Sequence, residues 1–156
     1  YLATPLPGDM EVIELDGSVP IKVQNSSFVA HEQGVEMNIS WEGFKNVFSG
    51  ESLIWLSMTG SGKVIINAFG AIYPVQVDGE YIVDTGNIAA FQETLEFKIS
   101  KAGKSLVGAF AGGEGFVCRF QGKGTIWCQT HADRAFGAKL APHLVPKKNY
   151  GARHDK

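Results

Sequence analysis

Glu36-Met37-Asn38-Ile39-Ser40 returns 60 positions later as Glu96-Phe97-Lys98-Ile99-Ser100. In both stretches apolar and polar residues alternate, the signature of a strand with one buried face. With Val35 and Trp41 added, the apolar set at 35, 37, 39 and 41 would line one side of a sheet. The match extends outward in order. Asp16-Gly17, Val23, Ala30, Gly50-Glu51 and Gly60-Ser61-Gly62 correspond to Asp78-Gly79, Val83, Ala90, Gly113-Glu114 and Gly122-Lys123-Gly124. The offset is 62 from Asp16 to Asp78, 60 from Val23 to Val83, 63 from Glu51 to Glu114 and 62 from Gly60 to Gly122, so insertions of a few residues explain the drift. Two copies of one unit fix an architecture. They say much less about activity.

The rest of each copy has the same strand rhythm. Glu11–Leu15 leads to a turn at Asp16-Gly17, then come Ile21–Gln24, a turn at Asn25-Ser26-Ser27, and Phe28–Ala30. Leu53–Met58 is expected to turn through Thr59-Gly60-Ser61-Gly62 into Lys63–Ala68. The second copy retraces this through Tyr73–Val77, a turn at Asp78-Gly79, Tyr81–Val83, Ile88–Phe91, Leu95–Ile99, Phe116–Phe120 and Thr125–Gln129. About six short strands per copy with Gly-rich turns read as an all-β sandwich or barrel-like roll. The expected organisation is a first β-roll repeat over 8–70, a second over 71–132, and a short helical segment with a basic tail over 133–156. Within the last, Asp133–Leu140 has helical character, with Asp133 as a possible N-cap and Pro142 beyond its end.

One stretch in each copy breaks the rhythm: Glu42–Gly50 and Ala102–Gly113. Phe44, Val47 and Phe48 in the first, and Leu106, Val107 and Phe110 in the second, look like anchors that pin a glycine-rich loop to a neighbouring surface. That surface is either the copy's own core or another subunit, since exposed aromatics on such a loop are costly unless covered.

Composition bounds the class. The chain of 156 residues is 44% hydrophobic and 19% charged, as in a soluble globular protein. No apolar run approaches the roughly 20 residues of a membrane span, and no signal peptide is visible; the chain starts at Tyr1 rather than Met. A net charge of −2 argues against a general nucleic-acid binder. Lys147, Lys148, Arg153 and Lys156 against Asp155 make a basic tail, read as a solvated terminus. Cys118 and Cys128 flank Gly122-Lys123-Gly124. If that triplet were a hairpin tip the two would face each other near disulfide range; the preferred reading is two reduced, buried thiols of a cytoplasmic protein.

Chemistry is sparse. A nucleophile needs a base and an orienting acid within reach. Cys128 and His131 are close in sequence, but alternation sends positions 128 and 131 to opposite faces. His31, His131, His143 and His154 show no metal-ligand spacing with acids. Gly108–Gly115 is glycine-rich, but it lacks the Lys and Ser or Thr of a phosphate loop, and Glu114 would repel phosphate. Glu51 and Glu114 occupy equivalent places and read as acceptors for loop N–H groups. Trp41, Trp55 and Trp127 read as core or interface residues, with no interleaved basic residues to suggest base stacking. No catalytic, cofactor-binding or metal residue is assigned.

Four segments carry a family pattern: Gly62–Ile72, Val83–Phe91, Gly112–Phe116 and Leu140–Leu144. Together, over roughly Pro5 to Pro146, they resemble the altered-inheritance-of-mitochondria family. The resemblance implies the fold of the tryptophan RNA-binding attenuation protein, a short double-stranded β-helix. It implies three copies per chain assembled into trimeric rings. Tyr1–Pro7 resembles the approach to the family's second copy, so the two copies here would be the second and third. No catalytic motif comes with the family, and no residue matches the tryptophan or RNA site of the namesake fold. The expectation is a non-enzymatic homo-oligomer, a trimer or larger ring, acting as an assembly or scaffold protein in the bacterial cytoplasm without cofactor or membrane partner. The alternative is a small-molecule or RNA binding module with its site between subunits.

Overall fold

The structure is a computed structural model that describes residues 1–40, 54–101 and 116–144. Among these residues the strands are β1 (Met10–Asp16), β2 (Ile21–Gln24), β3 (Phe28–His31), β4 (Val35–Ser40), β5 (Trp55–Asn67), β6 (Ile72–Asp84), β7 (Ile88–Gln92), β8 (Leu95–Lys101) and β9 (Phe116–Gln129), followed by helix α1 (Asp133–Leu140). The strands pair antiparallel throughout. The fold is therefore all-β with short helical pieces, as the alternation requires.

Two long strands organise the rest. The C-terminal part of β5 pairs with β1 on one edge, from Met10↔Asn67 to Asp16↔Ser61, and with β3 on the other. Its N-terminal part pairs with β2, from Ile21↔Met58 to Gln24↔Trp55, and with β4, from Val35↔Gly60 to Ser40↔Trp55. Strand β9 serves β6, β7 and β8 in the same way. The registers coincide. Met10↔Asn67 recurs as Ile72↔Gln129, and Val35↔Gly60 recurs as Leu95↔Gly122. A bulge falls between Phe28 and Ala30, and again between Ile88 and Ala90.

The glycine triplets correct the sequence reading. Thr59–Gly62 and Gly122–Gly124 are not hairpin turns; β5 and β9 run straight through them. Gly60 and Gly62 hold φ of 91° and 143°, and Gly122 holds 121°. Positive φ inside a strand bends it, so each long strand changes partners midway instead of reversing. Asp78-Gly79 is likewise no turn, because β6 continues across it with Gly79 at φ 112°. Asp16-Gly17 does end β1, and Asn25–Ser27 forms a short 3₁₀ turn. Cys118 and Cys128 therefore do not face each other: they lie ten positions apart in one strand, and both are free and buried. Helix α1 has the expected bounds, but its cap is Ala132, with Asp133 in the first turn where its carboxylate suits the helix dipole. Among the described residues no helix is long and apolar enough to cross a membrane.

Two apolar clusters form the interior. One gathers Ile13, Leu15, Ile21, Val23, Val35, Leu56, Met58, Val64 and Ile66 with Ala89, Ala90 and Trp127 from the second copy. The other gathers Val77, Ile88, Phe91, Leu95, Cys118, Phe120, Ile126 and Cys128 with Trp55 from the first. Each copy thus lends residues to the other's core. Equivalent polar groups hold equivalent joints. Glu32 Oε2 accepts the Lys63 N–H at 2.9 Å, and Gln92 Oε1 accepts the Thr125 N–H at 2.8 Å. Asn67 Nδ2 donates to Ser26 O at 3.4 Å, and Gln129 Nε2 donates to Gly86 O at 2.8 Å. These bonds satisfy polar atoms that would otherwise be costly to bury.

The bends make a graded prediction. A Cβ at Gly60 would collide with the Gly34 carbonyl oxygen, whereas one at Gly79 would meet nothing within 4 Å. Gly60→Ala combines backbone strain with that collision and should cost about 3 kcal/mol; Gly79→Ala carries strain alone and should cost about 1 kcal/mol. Urea unfolding of the two variants measures the difference. Equal losses would show that the Gly60 bend is not a close approach.

Candidate functional site

The feature with most consequence is the seam where the copies join. Strand β2 pairs with β7 as Ile21↔Gln92, Lys22↔Phe91 and Val23↔Ala90. Both strands already have partners on their other edges, β5 and β9, so the seam closes two edges at once. Glu93 N donates to Pro20 O at 2.9 Å, extending the ladder by one bond. Side chains close over it. Ser57 Oγ donates to Glu93 Oε1 at 2.6 Å. The Lys22 ammonium stands 5.4 Å above the Phe97 ring. Trp55 meets Phe91 edge-on at 5.0 Å and 79°, and Phe97 at 6.1 Å. Trp127 Nε1 donates to Glu11 Oε1 at 3.2 Å across 116 positions of sequence.

Each seam strand has an equivalent in the other copy, and those equivalents are open. Among the described residues β3 pairs only with β5, and the Tyr81–Asp84 half of β6 pairs only with β9. Burial shows the difference. Ile88, Ala89, Ala90 and Phe91 are buried, while Phe28, Val29 and Ala30 are half-buried and His31 is exposed. Lys22 is 7% exposed, whereas Ile82 in the matching place is 46% exposed. Phe97 and Ile99 are half-buried, Phe97 against Lys22 and Trp55 of the first copy; Met37 and Ile39 are exposed, at 44% and 57%. Ile82 and Met37 are thus exposed apolar side chains at the places equivalent to Lys22 and Phe97, which the seam brings together.

The candidates from sequence are distributed as follows. Phe44, Val47, Phe48, Leu106, Val107 and Phe110 lie outside the described residues, as do Trp41, Glu51, Glu114 and Gly108–Gly115. Trp55 and Trp127 sit in the shared core, at 0% and 9% exposure. The structure does not join Cys128 to His131: Cys128 is buried, and the His131 ring packs on Phe69 at 5.2 Å with Nδ1 2.9 Å from Thr130 Oγ1. Among the described residues no three His, Cys, Asp or Glu side chains are grouped to hold a metal. Sequence reasoning missed the open edges. The available signal was a mismatch between copies, with Lys22 aligned to Ile82 and Phe91 to His31.

A cleft of about 310 Å³ lies where β1 meets the second copy, lined by Ile13, Leu15 and Ile21 from the first copy and by Gln92, Thr125 and Trp127 from the second. Glu11, Glu14 and Asp16 also line it, and among the described residues no basic side chain does. The Asp16 carboxyl is held below its usual range by hydrogen bonds from the Ser18 hydroxyl and Ser18 N–H.

Burial pushes the Cys118 thiol up to about 12, helped by the Asp84 charge, and pushes Cys128 up to about 11 against an opposing Tyr73 hydrogen bond. Neither thiol can act as a nucleophile at neutral pH. Since both values are raised above the unfolded one, their stabilising effect is complete below pH ~9 and fades as pH climbs towards the folded values. Folded protein at pH 8 should take up iodoacetamide at neither cysteine and at both in urea. Mass spectrometry reads the labelling, and rapid modification of the native protein would contradict the burial.

The comparisons agree with this architecture. The chain is 24% identical over 151 residues to an uncharacterized protein of Streptococcus pyogenes serotype M6, which covers 95% of this chain and 60% of that protein. Its fold matches the crystal structure of a Streptococcus pyogenes protein with a TM-score of 0.80 at 24% identity, over 91% of this chain and 63% of the other. The chain thus spans under two thirds of the length of both relatives. The profile described as mitochondrial biogenesis AIM24 matches residues 1–131, and the chain belongs to that family.

Proposed function

We propose that this protein is a non-enzymatic assembly protein, in which two short double-stranded β-helix units of the tryptophan RNA-binding attenuation protein type stack and copies of the chain join into a ring. One observation carries the reading: the chain already contains the joint. Strand β2 seats on β7, and among the described residues the equivalent segments, Tyr81–Asp84 on one copy and Phe28–His31 on the other, have no strand on their second edge and carry Ile82, Val83, Phe28 and Val29. An open strand edge invites pairing. Two different, complementary edges join head to tail, and such joints close into rings when the rotation permits. The free thiols suit a reducing, cytoplasmic compartment.

Light scattering of the full chain at micromolar concentration should give a mass of three or more chains. Ile82→Asp places an unpaired charge in the joint without touching either core and should return the protein to a single chain with its thermal midpoint little changed. A wild-type protein that scatters as one chain would sink the proposal.

A second reading has the β1 cleft in its favour. A lining of apolar side chains, the Trp127 indole and the carboxylates of Glu11, Glu14 and Asp16 would suit a small cationic guest. A thermal-shift screen of amines that moves nothing at millimolar concentration would dismiss it.

A further inference from the structure

We infer the register of the joint between chains: Ile82 of one chain lies opposite His31 of the next and Val83 opposite Ala30, and the cleft beside them takes Asp78 from the first chain and Lys63 from the second. The inference rests on the assembly proposed above and names the residues that meet in it. Its template is the seam already in the molecule, where Lys22 lies opposite Phe91 and Val23 opposite Ala90. Pairing within each copy fixes the equivalences independently of that seam. Val23↔Leu56 recurs as Val83↔Cys118, and Ala90↔Trp127 recurs as Ala30↔Ile65, with the bulge in the same place. Lys22 therefore answers to Ile82, and Phe91 to His31. The bond from Glu93 N to Pro20 O becomes one from Gln33 N to Glu80 O of the neighbour.

Packing supports this alignment. In the seam, Ala89, Ala90 and Trp127 of the second copy join the apolar cluster that holds Ile13, Leu15, Ile21 and Val23 of the first. The equivalents of the three are Val29, Ala30 and Ile65, and those of the four are Val75, Val77, Tyr81 and Val83. Every one of these places keeps an apolar or aromatic side chain. All seven seam residues are buried; at the equivalent places Val77 alone is buried, and the other six are half-buried. Seating Val29, Ala30 and Ile65 on the neighbour's Val75, Tyr81 and Val83 would remove that remaining apolar surface from water. A slip of one residue would turn the strand's other face to the neighbour and lose the match.

The two faces also carry a matched pair of charges. Asp16 and Thr125 line one cleft beside the internal seam, together with Glu14 and Gln92. The equivalents of Asp16 and Thr125 are Asp78 and Lys63, and those of Glu14 and Gln92 are Gln76 and Glu32. The corresponding cleft between chains therefore receives an aspartate from one chain, and a lysine with Glu32 beside it from the next. Within one chain the Lys63 ammonium stands 4.0 Å from Glu14, and the Lys123 ammonium stands 3.8 Å from Asp78. All four side chains are largely exposed, so these contacts hold little and leave Lys63 and Asp78 able to meet across the joint. Opposite charges on two unlike faces steer each face to the other rather than to its own kind.

His31→Cys and Ile82→Cys in one chain test the register. Both places are exposed, so neither change touches a core. Residues directly opposite in an antiparallel pair have Cβ atoms about 4.5–5.5 Å apart, within reach of dibromobimane, which fluoresces only when it bridges two thiols. Cys118 and Cys128 are buried and stay silent. Circular dichroism verifies the fold, and light scattering gives the mass of wild type and variants. On a denaturing gel the double variant should give a fluorescent ladder of covalent multiples of the chain, ending at the mass found by scattering, while each single variant gives none. Gln33→Cys with Glu80→Cys, exposed residues at the rim of the joint, gives the same reading if the first pair weakens assembly. Assembly without a ladder from either pair overturns the register while the assembly stands. A single variant that bridges to its own kind overturns the meeting of unlike faces. If wild type scatters as one chain, it is the assembly that fails, and the register with it.

Discussion

A strand that must serve several partners has to bend, and most of this molecule follows from that constraint. Strand β5 lies between β1 and β3 at one end and between β2 and β4 at the other, and β9 does the same for the second copy. A straight strand of that length would carry its neighbours out into one flat sheet. The bends at Gly60-Ser61-Gly62 and Gly122-Lys123-Gly124 turn the two halves towards each other, so that residues from both halves, such as Met58 and Val64, share one core. Gly34 must also approach Gly60 closely, since its carbonyl accepts the Ser61 N–H at 3.1 Å. Glycine is required on the strand for its φ and for the space.

The same triplets explain where the sequence misleads. Gly-Ser-Gly and Gly-Lys-Gly between apolar runs carry the local chemistry of a hairpin tip, and positive φ serves a hairpin and a bend alike. Only the partners on both edges distinguish them, and those partners lie far off in sequence. What was legible rested on side-chain period. Val35–Ser40 and Leu95–Lys101 alternate and are strands; Asp133–Leu140 has helical spacing and is a helix. Alternation also named the face at 35, 37 and 39, but not its cover, because Val35 is buried and Met37 and Ile39 are not. The open edges left no motif of their own. They consist of backbone N–H and C=O groups, which every residue supplies.

The repeat itself supplied what motifs could not. Two copies of one unit in one chain provide an internal control, since equivalent residues differ in burial where their neighbours differ. Val23 is fully buried and Val83 half-buried; Ala90 is fully buried and Ala30 half-buried. Local sequence cannot cause these differences, because the residue types are identical and the strand registers coincide. The cause is the presence of β7 beside β2, and of β2 beside β7. Burial asymmetry between repeats thus traces the internal seam.

The internal seam and the matching outer surfaces are not chemically equivalent. The internal seam closes with an aromatic group, Trp55, Phe91 and Phe97, under a lysine ammonium, and edge-to-face rings each add about 0.5–1.5 kcal/mol beyond their buried area. The matching surfaces at the outer edges offer Val117, His31, Met37 and Ile82. None of the three rings that close the internal seam has an aromatic carbocycle or indole at its equivalent outer place. Divergence at Lys22 and Ile82, and at Phe91 and His31, gives the inner seam contacts that the matching outer surfaces lack.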